Sequence, residues 1–153
     1  MRALFVDTSG WMACADQADP AHAACRAARD AALEAGQMLV TTDFVADETL
    51  TLIRMRLGID ASAAWWQQVD ASQRLRWERI DAARFERARQ LFLHHRDKTF
   101  SFTDCTSFAV MRELKLSHAL GTDARFVQAG LHLLPGPTPR PVMPSRRKRR
   151  RTS

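Results

Sequence analysis

Two apolar runs near opposite ends of the chain each lead into an aspartate: Leu4-Phe5-Val6-Asp7, and Ala119-Leu120-Gly121-Thr122-Asp123. A short apolar run bounded by turn residues reads as a buried strand, and an acid behind it marks where the strand gives way to a turn or helix. Ligands of parallel α/β sheets bind in the crevice outside the carboxyl ends of the strands. The repeated pattern therefore constrains the architecture and the place of any chemistry together.

Between these runs, helical patterns alternate with short strand-like ones, which is the grammar of an α/β fold. Helices are expected at residues 9–15 and 20–35, the second opened by Asp19-Pro20 and stopped by Gly36. Met38-Leu39-Val40 reads as a second strand, and Asp43 suits the N-cap of a helix running to Leu57 with Gly58 at its end. A helix follows from Asp60 to Ala71, then a weakly alternating strand within Leu75 to Ile80, and a helix from Ala82 to His94. After irregular residues 97–102, a helix from Thr103 to Leu116, a strand near Ala119, a short helix ending at Gly130 and a strand at Leu131-His132-Leu133 complete the series.

A length of 153 residues fits one domain, and 46% hydrophobic residues supply a sizeable core. The boundary is expected at Leu134, giving a domain of residues 1–134 and a tail of residues 135–153. Five of the six prolines (Pro135, Pro137, Pro139, Pro141 and Pro144) open that tail, and six of the 23 basic residues, Arg146 to Arg151, crowd into it. The remaining 17 basic residues, Arg140 of the tail among them, balance 17 acids, so the formal charge of +6 is that of the Arg146 to Arg151 run and the rest of the chain is formally neutral. An extended, solvated tail is expected, with salt-sensitive attraction to phosphates as its functional reading. Cys14, Cys25 and Cys105 are odd in number and form no Cys-x-x-Cys pair, which argues against a disulfide framework and a structural zinc. No apolar run reaches the ~18 residues of a membrane span, and Asp7 interrupts the start too early for a signal peptide, so a cytoplasmic protein is expected.

Two further acids lie on helices. Glu48 shares a helical face with Val45, Leu52 and Met55, where an ionised carboxylate is costly without a cation or donors beside it, whereas neighbouring Asp47 points to solvent. Asp104 shares a face with Phe108 and Met111, one turn into a helix begun by Ser101 or Thr103. Taken singly, Asp104 is a favourable partner of the helix dipole, and Asp7 and Asp123 are turn or cap acids. Together, the four read as a metal site for phosphodiester chemistry.

Four fragments in order carry a resemblance: Leu4-Phe5-Val6-Asp7-Thr8-Ser9, Val45-Ala46-Asp47-Glu48-Thr49-Leu50-Thr51-Leu52, Ser101-Phe102-Thr103-Asp104-Cys105-Thr106-Ser107, and Gly121-Thr122-Asp123-Ala124-Arg125-Phe126. At these spacings the chain resembles the PIN-domain ribonucleases, in particular the VapC-like toxins of bacterial toxin-antitoxin pairs. The resemblance implies a three-layer α/β/α PIN-like fold with a central parallel sheet of about four or five strands. It also implies that Asp7, Glu48, Asp104 and Asp123 surround magnesium, with manganese as a substitute, and that RNA is cut to leave a 5′-phosphate. Thr8 or Ser9 is expected to orient the first acid. An antitoxin partner and a homodimer are implied as well, with Trp65-Trp66 as a conceivable exposed interface.

Crowded carboxylates cannot all ionise cheaply unless a divalent cation neutralises them. Magnesium prefers oxygen ligands and keeps several waters, so Asp7 and Asp104 are expected as primary ligands. Glu48 and Asp123 would then act through water, position a second ion or accept a proton. Arg54, Arg56, Arg96 and Lys98 lie near the acid-bearing segments in sequence and are the candidate RNA contacts. Trp65, Trp66 and Trp77 could stack on bases, although core packing is the commoner role. Two other classes compete. A catalytically silent RNA- or protein-binding module on the same fold is one. An aspartyl-phosphate phosphotransfer domain built on Asp7 is the other, weakened because Ser9 stands where a dehalogenase pattern wants a second acid.

Overall fold

The computed structural model describes residues 2–136. The expected Pro-rich and basic tail therefore lies outside the described residues, apart from Pro135 and Gly136. Within them, the chain runs β1 (Ala3–Val6), α1 (Thr8–Ala15), α2 (His22–Glu34), β2 (Met38–Thr42), α3 (Asp43–Leu57), α4 (Ile59–Ala71), β3 (Leu75–Glu78), α5 (Ala82–His94), α6 (Phe102–Glu113), β4 (His118–Leu120), α7 (Arg125–Gln128) and β5 (His132–Leu134). The strands form one parallel sheet in the order β3-β2-β1-β4-β5. The expected parallel sheet of about four or five strands is thus present, with five.

Helices explain the burial pattern of the strands. Parallel strands covered on both faces read as continuous apolar runs, and Leu4, Phe5, Val6, Leu39, Val40, Ala119 and Leu120 are all buried. The edge strands are less covered, so Arg76 on β3 and His132 on β5 face solvent, which is why β3 alternates only weakly. Because crossovers between parallel strands are right-handed, the turn from β1 through β2 to β3 puts α1 to α4 on one face. The return to β4 and β5 puts α5 to α7 on the other.

The sheet order reverses between β1 and β4, which makes their carboxyl ends the topological switch point. Close backbone approach holds this junction. The Asp7 amide donates to the Leu120 carbonyl at 3.1 Å. Gly10, in the first turn of α1, lies so near that carbonyl that a Cβ on it would collide with Leu120 O. The glycine thus allows α1 to seat against the end of β4.

An aromatic chain fills the core beneath. Phe126 packs on Phe5 and Phe108 at centroid separations of 6.4 and 5.0 Å, and Phe108 meets Phe100 at 5.0 Å. On the α1 to α4 face, Trp11 meets Trp65 edge-on at 5.4 Å and its indole N–H donates to Thr41 Oγ1 at 3.1 Å. Trp65 is buried, so the expected exposed pair reduces to Trp66, whose ring stacks on Trp65 and meets Trp77 edge-on.

Local chemistry shifts three expectations. Thr42, rather than Asp43, caps α3: its hydroxyl accepts from the Val45 amide at 3.1 Å, while Asp43 Oδ1 accepts from the Ile80 amide at 3.0 Å. Asp19 Oδ1 accepts from the Ala21 amide, a side-chain turn that delays α2 until His22. The buried face of α3 is Val45, Ala46, Thr49 and Ile53, and Met55 is 76% exposed. Glu48 is consequently half-buried at the margin of that face, not on its apolar centre.

Candidate active site

Asp7 occupies the end of β1 and caps α1. Its Oδ2 accepts from the Ser9 amide at 3.3 Å and the Ser9 hydroxyl at 2.9 Å. The same hydroxyl oxygen accepts from the Thr122 amide at 2.9 Å, so one side chain ties the β1 acid to the loop that carries Asp123. Gly121 makes room for this strut, since a Cβ there would stand 2.6 Å from Ser9 Oγ. Of the two hydroxyls expected to orient Asp7, the Ser9 hydroxyl is the one that bonds it. Thr8 Oγ1 is buried without a hydrogen-bond partner among the described residues.

Asp104 comes from the first turn of α6. Ser101 and Asp104 form a reciprocal capping box, in which Ser101 Oγ accepts from the Asp104 amide at 3.0 Å and Asp104 Oδ2 accepts from the Ser101 amide at 2.9 Å. Asp123 follows β4, and its Oδ1 accepts from the Arg125 amide at 3.0 Å. The Arg125 guanidinium reaches both acids, with Nη1 3.8 Å from Asp104 Oδ2 and 3.5 Å from Asp123 Oδ2. This residue sits two positions after the last acid, but nothing in the pattern says which way a half-exposed arginine turns.

The electrostatics tie three acids together. Burial pushes the Asp7 carboxyl from 3.8 up to about 7; the Ser9 hydrogen bonds oppose the rise and the charge of Asp104 adds to it. Burial also raises Asp104, with Asp123 contributing to the rise and the Ser101 and Arg125 contacts opposing it. Asp104 thus links the other two across the switch point: it acts on Asp7, and Asp123 acts on it. Glu48 approaches from α3, which touches α6, but among the described residues no hydrogen bond or ion pair joins it to the other three.

Among the described residues, no group of three or more His, Cys, Asp or Glu side chains is gathered closely enough to hold a metal ion. The carboxylates are instead held by Ser9 at Asp7, by Ser101 at Asp104 and by Arg125, which reaches both Asp104 and Asp123. Their donor chemistry still fits a hard divalent ion. All are carboxylate oxygens, and a buried acid raised to about 7 is one that a cation would return to its ionised form.

The candidate RNA contacts divide. Arg54 and Arg56 sit in the last turn of α3, roughly 9 and 12 Å farther along the helix axis than Glu48 and away from the sheet edge where α3 begins. Arg96 and Lys98 are exposed in the segment leading into α6, where Lys98 pairs with Asp97 at 3.6 Å. Trp65, being buried, is unavailable for stacking on bases.

The family model of the PIN domain matches residues 4–131, which includes all four acids. The chain belongs to the PIN domain family. A 23S rRNA-specific endonuclease, VapC20 of Mycobacterium tuberculosis, is 33% identical over 127 residues covering 83% of this chain and 94% of the relative. Ribonuclease VapC26 of the same species is 27% identical over 128 residues, covering 82% and 90%. The crystal structure of VapC20, described as a sarcin-ricin loop cleaving toxin, superposes with a TM-score of 0.75 at 32% identity, covering 84% of this chain and 96% of that one. FitAcB from Neisseria gonorrhoeae shares the PIN-like fold at a TM-score of 0.59 and 16% identity, covering 85% and 95%. Membership removes the phosphotransfer reading of Asp7, because this PIN domain places its acids on α3 and α6 as well as at the strand ends.

Proposed function

We propose that this PIN domain is a metal-dependent endoribonuclease, the toxin of a toxin-antitoxin pair, that hydrolyses RNA phosphodiester bonds to leave a 5′-phosphate. One observation carries the reading: a carboxylate buried to 4% exposure at the switch point, raised further by Asp104, on which Asp123 acts in turn, in a chain one-third identical to a ribosomal RNA endonuclease. Asp7 and Asp104 would hold the cation directly, with Glu48 and Asp123 supporting it through water. When bound, Mg2+ or Mn2+ supplies charge neutralisation and Lewis acidity at the phosphate. The chain's own residues do the rest. Ser9 keeps Asp7 aimed into the crevice, Ser101 keeps Asp104 in place, and Asp123 or Glu48 accepts a proton of the attacking water while the 3′ oxygen leaves as a hydroxyl with a proton taken from solvent.

Ribosomal RNA is the first substrate to offer, since VapC20 is named for it. The protein is proposed to act in the cytoplasm, restrained by an antitoxin that covers the crevice, and among the described residues no helix is long and apolar enough to cross a membrane. A homodimer is part of the proposal, with Phe85, Phe92 and Leu93 on α5 offering exposed apolar surface for it. The test is cleavage of total RNA and intact ribosomes by antitoxin-free protein in magnesium, manganese or excess chelator, beside Asp7→Asn. Cutting that needs the metal and vanishes in the variant supports the nuclease. RNA binding without cutting in either metal would favour the silent module.

A further inference from the structure

Arg125 stands where a cation is wanted. Its Nη1 lies 3.8 Å from Asp104 and 3.5 Å from Asp123, and both of the ion pairs that these acids make among the described residues come from it. Those separations exceed the ~2.7–2.9 Å of a locked charge-assisted hydrogen bond, so the guanidinium sits between two carboxylates without being fastened to either. Its side chain is 41% exposed, so it borders solvent.

The root of this side chain is fixed. The Arg125 amide donates to Asp123 Oδ1, and the next residue, Phe126, is fully buried against Phe5 and Phe108. Phe108 lies one turn beyond Asp104 on α6, so the packing that anchors α7 also sets the distance from Arg125 to Asp104. A held base and a loose tip suit a charge that comes and goes. Asp104 and Asp123 repel one another unless something positive lies between them, and a divalent ion seeking their oxygens meets a guanidinium already there.

We propose that Arg125 is an internal counter-cation, which neutralises Asp104 and Asp123 when no divalent ion is bound and is displaced from them when one binds. Arginine and metal therefore compete for Asp104, which would bind the ion directly, and for Asp123, which would support it through water. The inference rests on the metal-dependent reading of the site.

Titration calorimetry with Mn2+ on the full, antitoxin-free chain tests it, comparing wild type with Arg125→Gln, Arg125→Met and Arg125→Lys. The uncharged variants should bind Mn2+ about fivefold more tightly or better, and the lysine variant, which keeps the charge, should stay near wild type. Cation-free melting should fall in Arg125→Gln and Arg125→Met, and saturating Mn2+ should close the gap. Unchanged or weaker Mn2+ binding in both uncharged variants overturns the counter-cation while leaving the metal site standing. If wild type and all variants fail to bind Mn2+, the metal site and the counter-cation fall together.

Discussion

Replacing Asp7 by asparagine should stabilise the metal-free protein, and by an amount that depends on pH. Burial raises the Asp7 carboxyl from 3.8 to about 7, so the folded state holds that proton more tightly than the unfolded chain does. The stabilising contribution of the protonated acid is complete below pH 3.8, is lost as pH rises toward 7, and is gone above it. At about 1.4 kcal/mol per pH unit, that span corresponds to about 4 kcal/mol. Asparagine carries no charge to desolvate, and its carbonyl still accepts from Ser9. Water entry and side-chain relaxation reduce the figure, so a gain of roughly 2–4 kcal/mol is expected at pH 8, shrinking toward zero near pH 4. Urea unfolding of chelator-treated wild type and Asp7→Asn at pH steps from 4 to 8 measures it. Saturating magnesium should then stabilise wild type and leave the variant unchanged. A loss of stability at pH 8, or a gain that is flat with pH, would refute the reasoning, because it would mean that Asp7 carries no burial cost in the folded state.

Other substitutions probe the frame around that acid. Ser9→Ala removes both the donor to Asp7 and the acceptor of the Thr122 amide, so it should cost about 1–3 kcal/mol in chemical denaturation and depress RNA cleavage more than RNA binding. Gly10→Ala puts a methyl group into the Leu120 carbonyl, and a destabilisation of about 1–3 kcal/mol or more is expected from thermal unfolding as α1 is pushed off β4. Deleting residues 146–151 removes six positive charges, and filter-binding across a salt series should show weaker RNA affinity and a shallower salt slope, with the metal requirement of cleavage intact.

Much of the fold could be read from the chain because its local signals agree with its topology. Apolar runs at Leu4 to Val6 and Leu39-Val40 mark strands covered on both faces, and α5 begins and ends at the expected Ala82 and His94. What escaped the pattern depends on contacts between distant segments. Thr42 takes the cap of α3 because Asp43 is drawn to the Ile80 amide across the end of β3, a partner that no local window contains. Trp65 is buried because Trp11, far away in sequence, packs edge-on against it. At the site, Asp7, Asp104 and Asp123 were legible as strand-end and helix-start acids, and the structure brings those three within electrostatic reach. The position of Arg125 over two of them follows from Phe126 fitting between Phe5 and Phe108, which a sequence reading cannot orient.

The junction of β1 with β4 also sets an order of events during synthesis. Asp7 and Glu48 leave the ribosome early, yet the Leu120 carbonyl that accepts from the Asp7 amide and the Thr122 amide that donates to the Ser9 hydroxyl oxygen come, like Asp104, from the last quarter of the domain. Until those residues emerge, Asp7 has neither its neighbour strand nor its strut, and Asp123 does not yet exist. A partly made chain is therefore a collection of acids without a crevice, and the proposed nuclease cannot act on the ribosome that is making it before its domain is nearly complete.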